Sequence, residues 1–321
     1  MVFYSTSKRL ICNVKDFYPI SWYFPFRKID KEAIFIGWGR KKSGLNAIKL
    51  AKKFDKNFLL LEDGFIRSFG LGLQNSPSFS IVEDDVGIYY DATKPSKLEN
   101  LLNTCNFTKE LLEQAKKAMK FIKKYEISKY NNNLPLPKDF LSSNDEKRVL
   151  IITQVANDAS LEFGLAKDFN TQDLIEDCIR ENPDSKIYIK IHPDVLTGRK
   201  QSDFKIENLP KNCKIINQNY NPIALLKKFH KVYTKTSGMG FEALILGCEC
   251  VCYGMPFYAG WGITKDKLKC ERRITKRSLE EIFAASFLLY SKYFNPYTKK
   301  KSDIFDTILT LRNKRDNMLT L

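Results

Sequence analysis

Short apolar runs and longer amphipathic stretches alternate along most of this chain. Residues 33–36 (Ala-Ile-Phe-Ile) read as a short buried strand closed by Gly37-Trp38-Gly39, followed by a basic helix over about 44–54. Residues 57–61 (Asn-Phe-Leu-Leu-Leu) form a second strand that ends at Glu62-Asp63-Gly64. Strand, helix and strand at this spacing predict a βαβ unit. Residues 79–82 and 86–90 add short strands, and the spacing over 108–129 predicts a helix with Thr108 as its cap.

A proline-rich stretch at 134–137 and Ser142-Ser143-Asn144-Asp145 read as a linker. A second series starts after it. Strands are expected over 148–153, 186–191, 214–217, 231–235 and 248–253, with helices over 171–181, 222–230 and 241–246. Two helices are expected after Thr275. The pattern predicts an α/β fold of the GT-B-like kind: two Rossmann-like lobes (1–145 and 146–275) with a cleft between them, and C-terminal helices over 276–321. With 321 residues, 43% of them hydrophobic, the chain can fill both cores.

No run of about 18 uncharged apolar residues is present, so no membrane-spanning helix is expected. The first nine residues lack the apolar run and small-residue cleavage site of a secretory leader. Eight cysteines are scattered, and Cys248, Cys250 and Cys252 alternate along one strand. Buried reduced thiols account for them, since zinc asks for a different spacing. With two histidines in the chain, no metal is expected.

The net charge of +16 calls for an anionic partner or a solvated basic surface. From Lys265 to Leu321 there are 14 Lys/Arg against 7 Asp/Glu, leaving +7 in the last sixth of the chain. An anionic membrane surface or a phosphorylated substrate fits this balance. Nucleic acid is not expected, because no recognised nucleic-acid motif accompanies the charge.

Candidate chemistry gathers at predicted strand ends. Lys190 and His192 end one strand two residues apart, which suits a phosphate or carboxylate; a strand-end histidine can equally belong to the core. Thr236-Ser237-Gly238-Met239-Gly240 leads into a helix carrying Glu242. Ser237, Gly238 and Gly240 would open that helix toward a phosphate. Glu242 would take ribose hydroxyls or simply stabilise the helix start. Gln154 and Asp158 follow the first strand of the second lobe; Asp158 is a nucleophile, a base or a helix cap. Glu62, Asp63 and Arg67 form either a sugar-acid site with an acid/base or an internal ion-pair network. Phe257, in an aromatic and glycine-rich loop, would stack a base or support the pocket wall.

Taken together, Gly37-Trp38-Gly39-Arg40, Glu62-Asp63-Gly64-Phe65-Ile66-Arg67-Ser68, Gly87-Ile88-Tyr89-Tyr90-Asp91-Ala92, Gln154 with Asp158-Ala159-Ser160, His192-Pro193, and the segments 236–244 and 253–262 closely resemble the bacterial capsule-polysaccharide β-Kdo transferases of the KpsC type. The motifs run in order from about residue 33 to 265. The resemblance implies a GT-B-like enzyme that moves Kdo from CMP-Kdo with retention of the β configuration. It implies a Kdo-bearing acceptor on (lyso)phosphatidylglycerol, a cytoplasmic place at the inner face of the inner membrane, and contact with other capsule biosynthesis proteins. Full-length members carry two transferase modules. This chain has the motifs of one, and Met1 and Leu321 as its ends suit the first, 2,4-linking module.

By the same resemblance Asp158 is the catalytic nucleophile, Glu62 the acid/base and Arg67 the partner of the Kdo carboxylate. Lys190 and His192 hold the donor phosphate or carboxylate. Ser237, Gly238 and Glu242 hold phosphate and ribose. No cofactor beyond the donor substrate is implied, because CMP leaves as a stable anion. Ala156-Asn157 departs from the two acidic residues expected before Asp158. A different CMP-ulosonic acid as donor, or a non-catalytic assembly module, are the alternatives.

Overall fold

The computed structural model describes residues 2–70, 76–142, 147–156, 158–192 and 213–319, together with 195, 198, 201, 204, 209 and 210. Asn157, Pro193 and the linker residues Ser143, Asn144 and Asp145 lie outside the described residues.

The first lobe is built on strands β1 (Val2–Ser5), β2 (Ile20–Trp22), β3 (Ala33–Trp38), β4 (Asn57–Asp63) and β5 (Ser80–Asp84), with helix α1 (Lys8–Val14) between the first two. Helix α2 (Lys42–Phe54) joins β3 to β4, which pair in parallel from Ile34↔Asn57 to Trp38↔Leu61. The turn into α2 is compressed. A Cβ on Gly37 would lie 2.3 Å from the Ser43 carbonyl, and one on Gly44 only 1.9 Å from the Gly39 carbonyl. The helix start can therefore sit against the strand end only with glycine at both places.

The expected strand over 86–90 is not formed. Asp84, fully buried at the end of β5, accepts the Val86, Gly87 and Lys97 N–H groups and the Tyr290 hydroxyl. The backbone donors a strand would use are spent on one carboxylate, so the chain turns. Helices α3 (Lys97–Thr104) and α4 (Lys109–Tyr125) follow, each N-capped by the hydroxyl before it, Ser96 and Thr108.

The second lobe is a six-stranded, wholly parallel sheet. Its strands are β6 (Arg148–Ile152), β7 (Lys186–Lys190), β8 (Cys213–Ile216), β9 (Lys231–Thr234), β10 (Glu249–Cys252) and β11 (Lys265–Asp266). Between them run α5 (Ala159–Phe163), α6 (Thr171–Glu181), α7 (Pro222–Leu226) and α8 (Met239–Ile245). The order β11-β10-β9-β6-β7-β8 puts the apolar, fully buried β6 in the middle. Successive strands run outward from β6 on one side, and the chain then returns to β9 on the other. In open α/β sheets that switch point opens a crevice at the carboxyl ends of the two central strands.

After Thr275 the chain departs from two simple helices. Helix α9 (Leu279–Phe283) continues as a π-helical turn, Ala284–Leu289. A hairpin then follows, β12 (Ser291–Asn295) and β13 (Lys300–Lys301). β12 pairs with β5 of the first lobe, Ser291 opposite Val82, which makes that sheet seven-stranded in the order β13-β12-β5-β4-β3-β1-β2. Helix α10 (Ile304–Leu319) packs on α4, where Phe305 meets Phe121 at 5.5 Å and the Arg315 guanidinium donates to the Glu126 carbonyl at 3.0 Å. The C-terminal region thus completes the first lobe, because the edge of β5 needs a partner.

One hydrophobic cluster spans both lobes, from Leu60, Phe79 and Val82 through Phe241 and Phe257 to Leu150 and Val232. Phe65 lies 4.8 Å from both Phe257 and Phe287, so first lobe, second lobe and C-terminal segment meet ring to ring. Beside the rings, Glu99 of α3 holds Arg272 and the buried Arg273 of the second lobe at 2.7 and 3.2 Å. The architecture is GT-B-like.

Candidate active site

Residues from four elements converge where the lobes meet. β4 delivers Glu62 and Asp63, neighbours that a strand directs to opposite faces. Glu62 turns toward β3, where the Trp38 indole N–H donates to its Oε1 at 2.7 Å and the Asp63 N–H at 3.1 Å. Its Oε2 faces Gly39, whose missing side chain leaves the room: a Cβ there would stand 2.9 Å from it and 2.4 Å from the Tyr90 hydroxyl. Burial, with Asp63 alongside, raises the Glu62 carboxyl to about 7, against the lowering pull of Lys129. Asp63 goes the other way and pairs with Arg67 at 3.0 Å.

From the second lobe comes Glu242, in the first turn of α8. Ser128, just beyond α4, donates its hydroxyl to Glu242 Oε1 at 2.6 Å, and Oε2 is buried without a hydrogen bond. Burial raises this carboxyl to about 7 as well, while Ser128, Lys129 and Lys190 pull the other way. Lys190 ends β7, 4% exposed; burial lowers it to about 8, opposed by Glu242. Two carboxyls are thus held near their midpoints around neutral pH and one amine close above it, the pattern expected where protons or anions are handled.

Asp158 stands after the end of β6, at the switch point. It N-caps α5, its Oδ1 accepting the Ser160 N–H at 2.9 Å. Ser160 and Thr236 meet hydroxyl to hydroxyl at 3.1 Å, and Gln154 clamps both: its Nε2 donates to Ser160 at 3.1 Å and to Thr236 at 2.9 Å, and its Oε1 accepts the Thr236 N–H at 2.8 Å. The loops after β6 and β9 are therefore fixed to one another.

Residues 32–295 match the family model described as capsule polysaccharide biosynthesis protein. The chain belongs to that family. A solved structure described as Thermosulfurimonas dismutans KpsC, beta Kdo 2,4 transferase, is 43% identical with a TM-score of 0.90, covering 97% of this chain and 98% of that one. A second, described as the beta Kdo 2,7 transferase of the same KpsC, is 30% identical with a TM-score of 0.75, covering 98% and 99%. The capsule polysaccharide modification protein LipA of Neisseria meningitidis serogroup B is 39% identical over 309 residues, 92% of this chain but 44% of LipA. The chain therefore spans less than half the length of that curated relative.

Within this capsule-family chain the expected site residues divide. Asp158, Glu62, Lys190 and Glu242 all lie around the junction. His192 follows β7 and is half-buried. Gln154 is 6% exposed, and its amide is engaged at both ends, so it positions loops. Arg67 is drawn into the internal network that was its alternative, donating from Nε to Asp63 and from Nη1 to Ser68 and Ser76. Phe257 is buried among Phe65, Tyr89 and Phe241 and supports the wall.

The three small residues of the β9–α8 turn differ from one another. Ser237 caps the turn, its Oγ accepting the Met239 N–H at 3.3 Å. Gly240 is demanded by packing: a Cβ would lie 2.0 Å from the Tyr258 hydroxyl. At Gly238 a Cβ would meet nothing within 4 Å, so the fold does not require that glycine.

His230 is structural, its Nδ1 accepting the Arg148 N–H at 3.1 Å. Cys248, Cys250 and Cys252 are buried and free, with the last two sulfurs 3.8 Å apart. Among the described residues no three His, Cys, Asp or Glu side chains converge as a metal site requires. A groove of about 720 Å³ lies at the amino end of β6, between Leu136 and Phe229, and none of the motif residues lines it.

Lys129 and Ser128 escaped the sequence reading. A lysine just past a basic helix looks like a helix-terminal charge, and nothing local marks it as facing a carboxylate from position 242.

Proposed function

We propose that this chain is a retaining β-Kdo glycosyltransferase module of capsule biosynthesis, moving Kdo from CMP-Kdo to a Kdo-bearing lipid acceptor. The observation that carries the reading is the 43% identity and TM-score of 0.90, over 97% of the chain, to a protein described as a β-Kdo 2,4 transferase. The weaker likeness to the 2,7 transferase favours the 2,4 linkage.

In this reading Asp158 attacks the anomeric carbon. The bond to the CMP phosphate breaks, CMP departs with the electron pair, and an inverted glycosyl-aspartate forms. Glu62 then takes the proton of the acceptor hydroxyl, which displaces Asp158 and restores the β configuration. The Ser160 N–H holds one Asp158 oxygen at 2.9 Å and so orients the carboxylate. Lys190, His192, Ser237 and Gly238 receive the donor, with Glu242 toward the ribose.

Among the described residues no helix is long and apolar enough to cross a membrane. Exposed Lys299, Lys300 and Lys301 support contact with an anionic inner-membrane surface and with the acidic acceptor. In this reading the chain works at the cytoplasmic face of that membrane, alongside other capsule biosynthesis proteins.

The test is incubation with CMP-Kdo and a synthetic Kdo-terminated acceptor, beside Asp158→Asn, followed by mass spectrometry of product and intact protein. An extended acceptor, and a Kdo adduct on wild-type Asp158, are expected. Transfer that survives in Asp158→Asn would remove the nucleophile assignment. Folded protein that neither transfers nor hydrolyses CMP-Kdo would favour another CMP-ulosonic acid or a non-catalytic module.

A further inference from the structure

Residues 128–131 cross from the end of α4 to the second lobe and carry a charge that the reaction above leaves unused. Their course is fixed by the backbone. The Lys129 carbonyl accepts the Arg67 N–H at 3.0 Å and the Ser68 N–H at 3.3 Å. Asn131, fully buried, accepts the Ser128 N–H at 3.0 Å and donates to the Ser128 carbonyl at 2.9 Å and the Ser68 carbonyl at 3.1 Å. The segment is thus held by the first lobe at both Lys129 and Asn131.

The Lys129 ammonium stands in a ring of acids. Glu62, Asp63 and Tyr89 face it from the first lobe, and Glu242 from the second; all are close enough to interact with it electrostatically. Yet it makes no salt bridge with any described residue. Asp63, which would neutralise it, is taken by Arg67 at 3.0 Å. The ammonium lies 5.9 Å from the centroid of the Tyr130 ring, and within this charged cluster it keeps donors to spare.

An acidic sugar bound beside Glu62 and Glu242 needs a cation, and the guanidinium suggested by sequence is already committed to Asp63, Ser68 and Ser76. We propose that Lys129, rather than Arg67, receives the carboxylate of the acidic sugar at the lobe junction and so selects ulosonic over neutral sugars. The inference rests on the Kdo-transfer reading. In that reading donor and acceptor sugars both carry a carboxylate, and either is a source of it. A lysine suits the role as a compact point charge with three donors.

A cycle of enzyme and substrate changes tests it. Wild type, Lys129→Met and Lys129→Arg are assayed with the Kdo-terminated acceptor and its methyl ester, and in parallel with CMP-Kdo and its methyl ester in acceptor-free hydrolysis. Melting temperatures establish that each variant is folded. Esterifying the right sugar should cost wild type on the order of 100-fold in kcat/KM, and Lys129→Met should cost about the same with the free acid. The two losses should not add, and Lys129→Arg should retain the preference for the acid. The arm in which the cycle closes names the source of the carboxylate.

Fully additive losses in both arms, or a folded Lys129→Met that still prefers the acid, would overturn the proposal. Wild-type transfer judges the underlying reading separately. If wild type does not transfer, calorimetry of free Kdo and its methyl ester with wild type and Lys129→Met still decides the role of Lys129.

Discussion

Ser128 donates its hydroxyl to Glu242 at 2.6 Å, joining the segment after α4 to the first turn of α8 across 114 residues of sequence. The second oxygen of that carboxyl is buried without a hydrogen bond. Burial of this carboxyl outweighs the opposing pull of Ser128, Lys129 and Lys190 and holds its proton on to about 7.

This has a consequence for stability. A glutamate ionises near 4.5 in the unfolded chain and near 7 here, so the native state keeps a proton that the unfolded chain has lost. Stability should therefore fall as pH rises from about 4.5 to 7. Glu242→Gln removes this group's share, worth up to about 3 kcal/mol above pH 7. The variant should melt several degrees above wild type at pH 8 and close to it at pH 4. Calorimetry at the two pH values checks this, and an equal or lower melting temperature at pH 8 would count against it.

Glu62, raised to about 7, should govern the pH–rate profile if it is the base. kcat/KM for transfer should then rise through about pH 7, and Glu62→Gln should abolish that limb while lowering the rate on the order of 10²- to 10⁴-fold. Trp38→Phe removes a donor to the ionised form, so the limb should move to higher pH. A profile unaltered in both variants would exclude Glu62 from the proton transfer.

Asp158 is both helix cap and proposed nucleophile, and the two roles can be separated. Asparagine caps a helix about as well as aspartate does. Asp158→Asn should therefore hold its melting temperature, within about 0.5 kcal/mol, while losing transfer. Asp158→Ala should lose transfer and also about 1 kcal/mol of stability. If Asp158→Asn unfolds as readily as Asp158→Ala, the capping account fails.

Gly238 and Gly240 should respond in opposite ways. Gly240→Ala drives a methyl into the Tyr258 hydroxyl and should destabilise by about 1–3 kcal/mol or more. Gly238→Ala meets open space and should leave stability within about 1 kcal/mol of wild type. Its activity should nevertheless fall, because in the proposed reading the donor approaches the backbone where the added methyl would stand. Denaturant melts and donor KM for both variants check the contrast; a fully active Gly238→Ala would move the donor away from this turn.

Much of this chain is legible without coordinates. β6, β7 and β9 follow from apolar runs that must be buried on both faces of a parallel sheet, and α4 and α6 from apolar positions at helical spacing behind a capping Thr or Asn. Asp158, Glu62, Lys190 and Glu242 could be named because strand ends and helix starts are local features. What the sequence could not determine depends on groups that are distant along the chain. The hairpin β12–β13 exists because β5 offers it an edge. The turn at 86–90 exists because Asp84 is buried and collects its N–H groups. Arg67 and Gln154 carry the right chemistry for ligands, but neighbours a few ångströms away take it up. Lys129 looks like a helix-end charge until folding sets it between Glu62 and Glu242. Burial and long-range charge assign those roles, and both exist only once the two lobes have met.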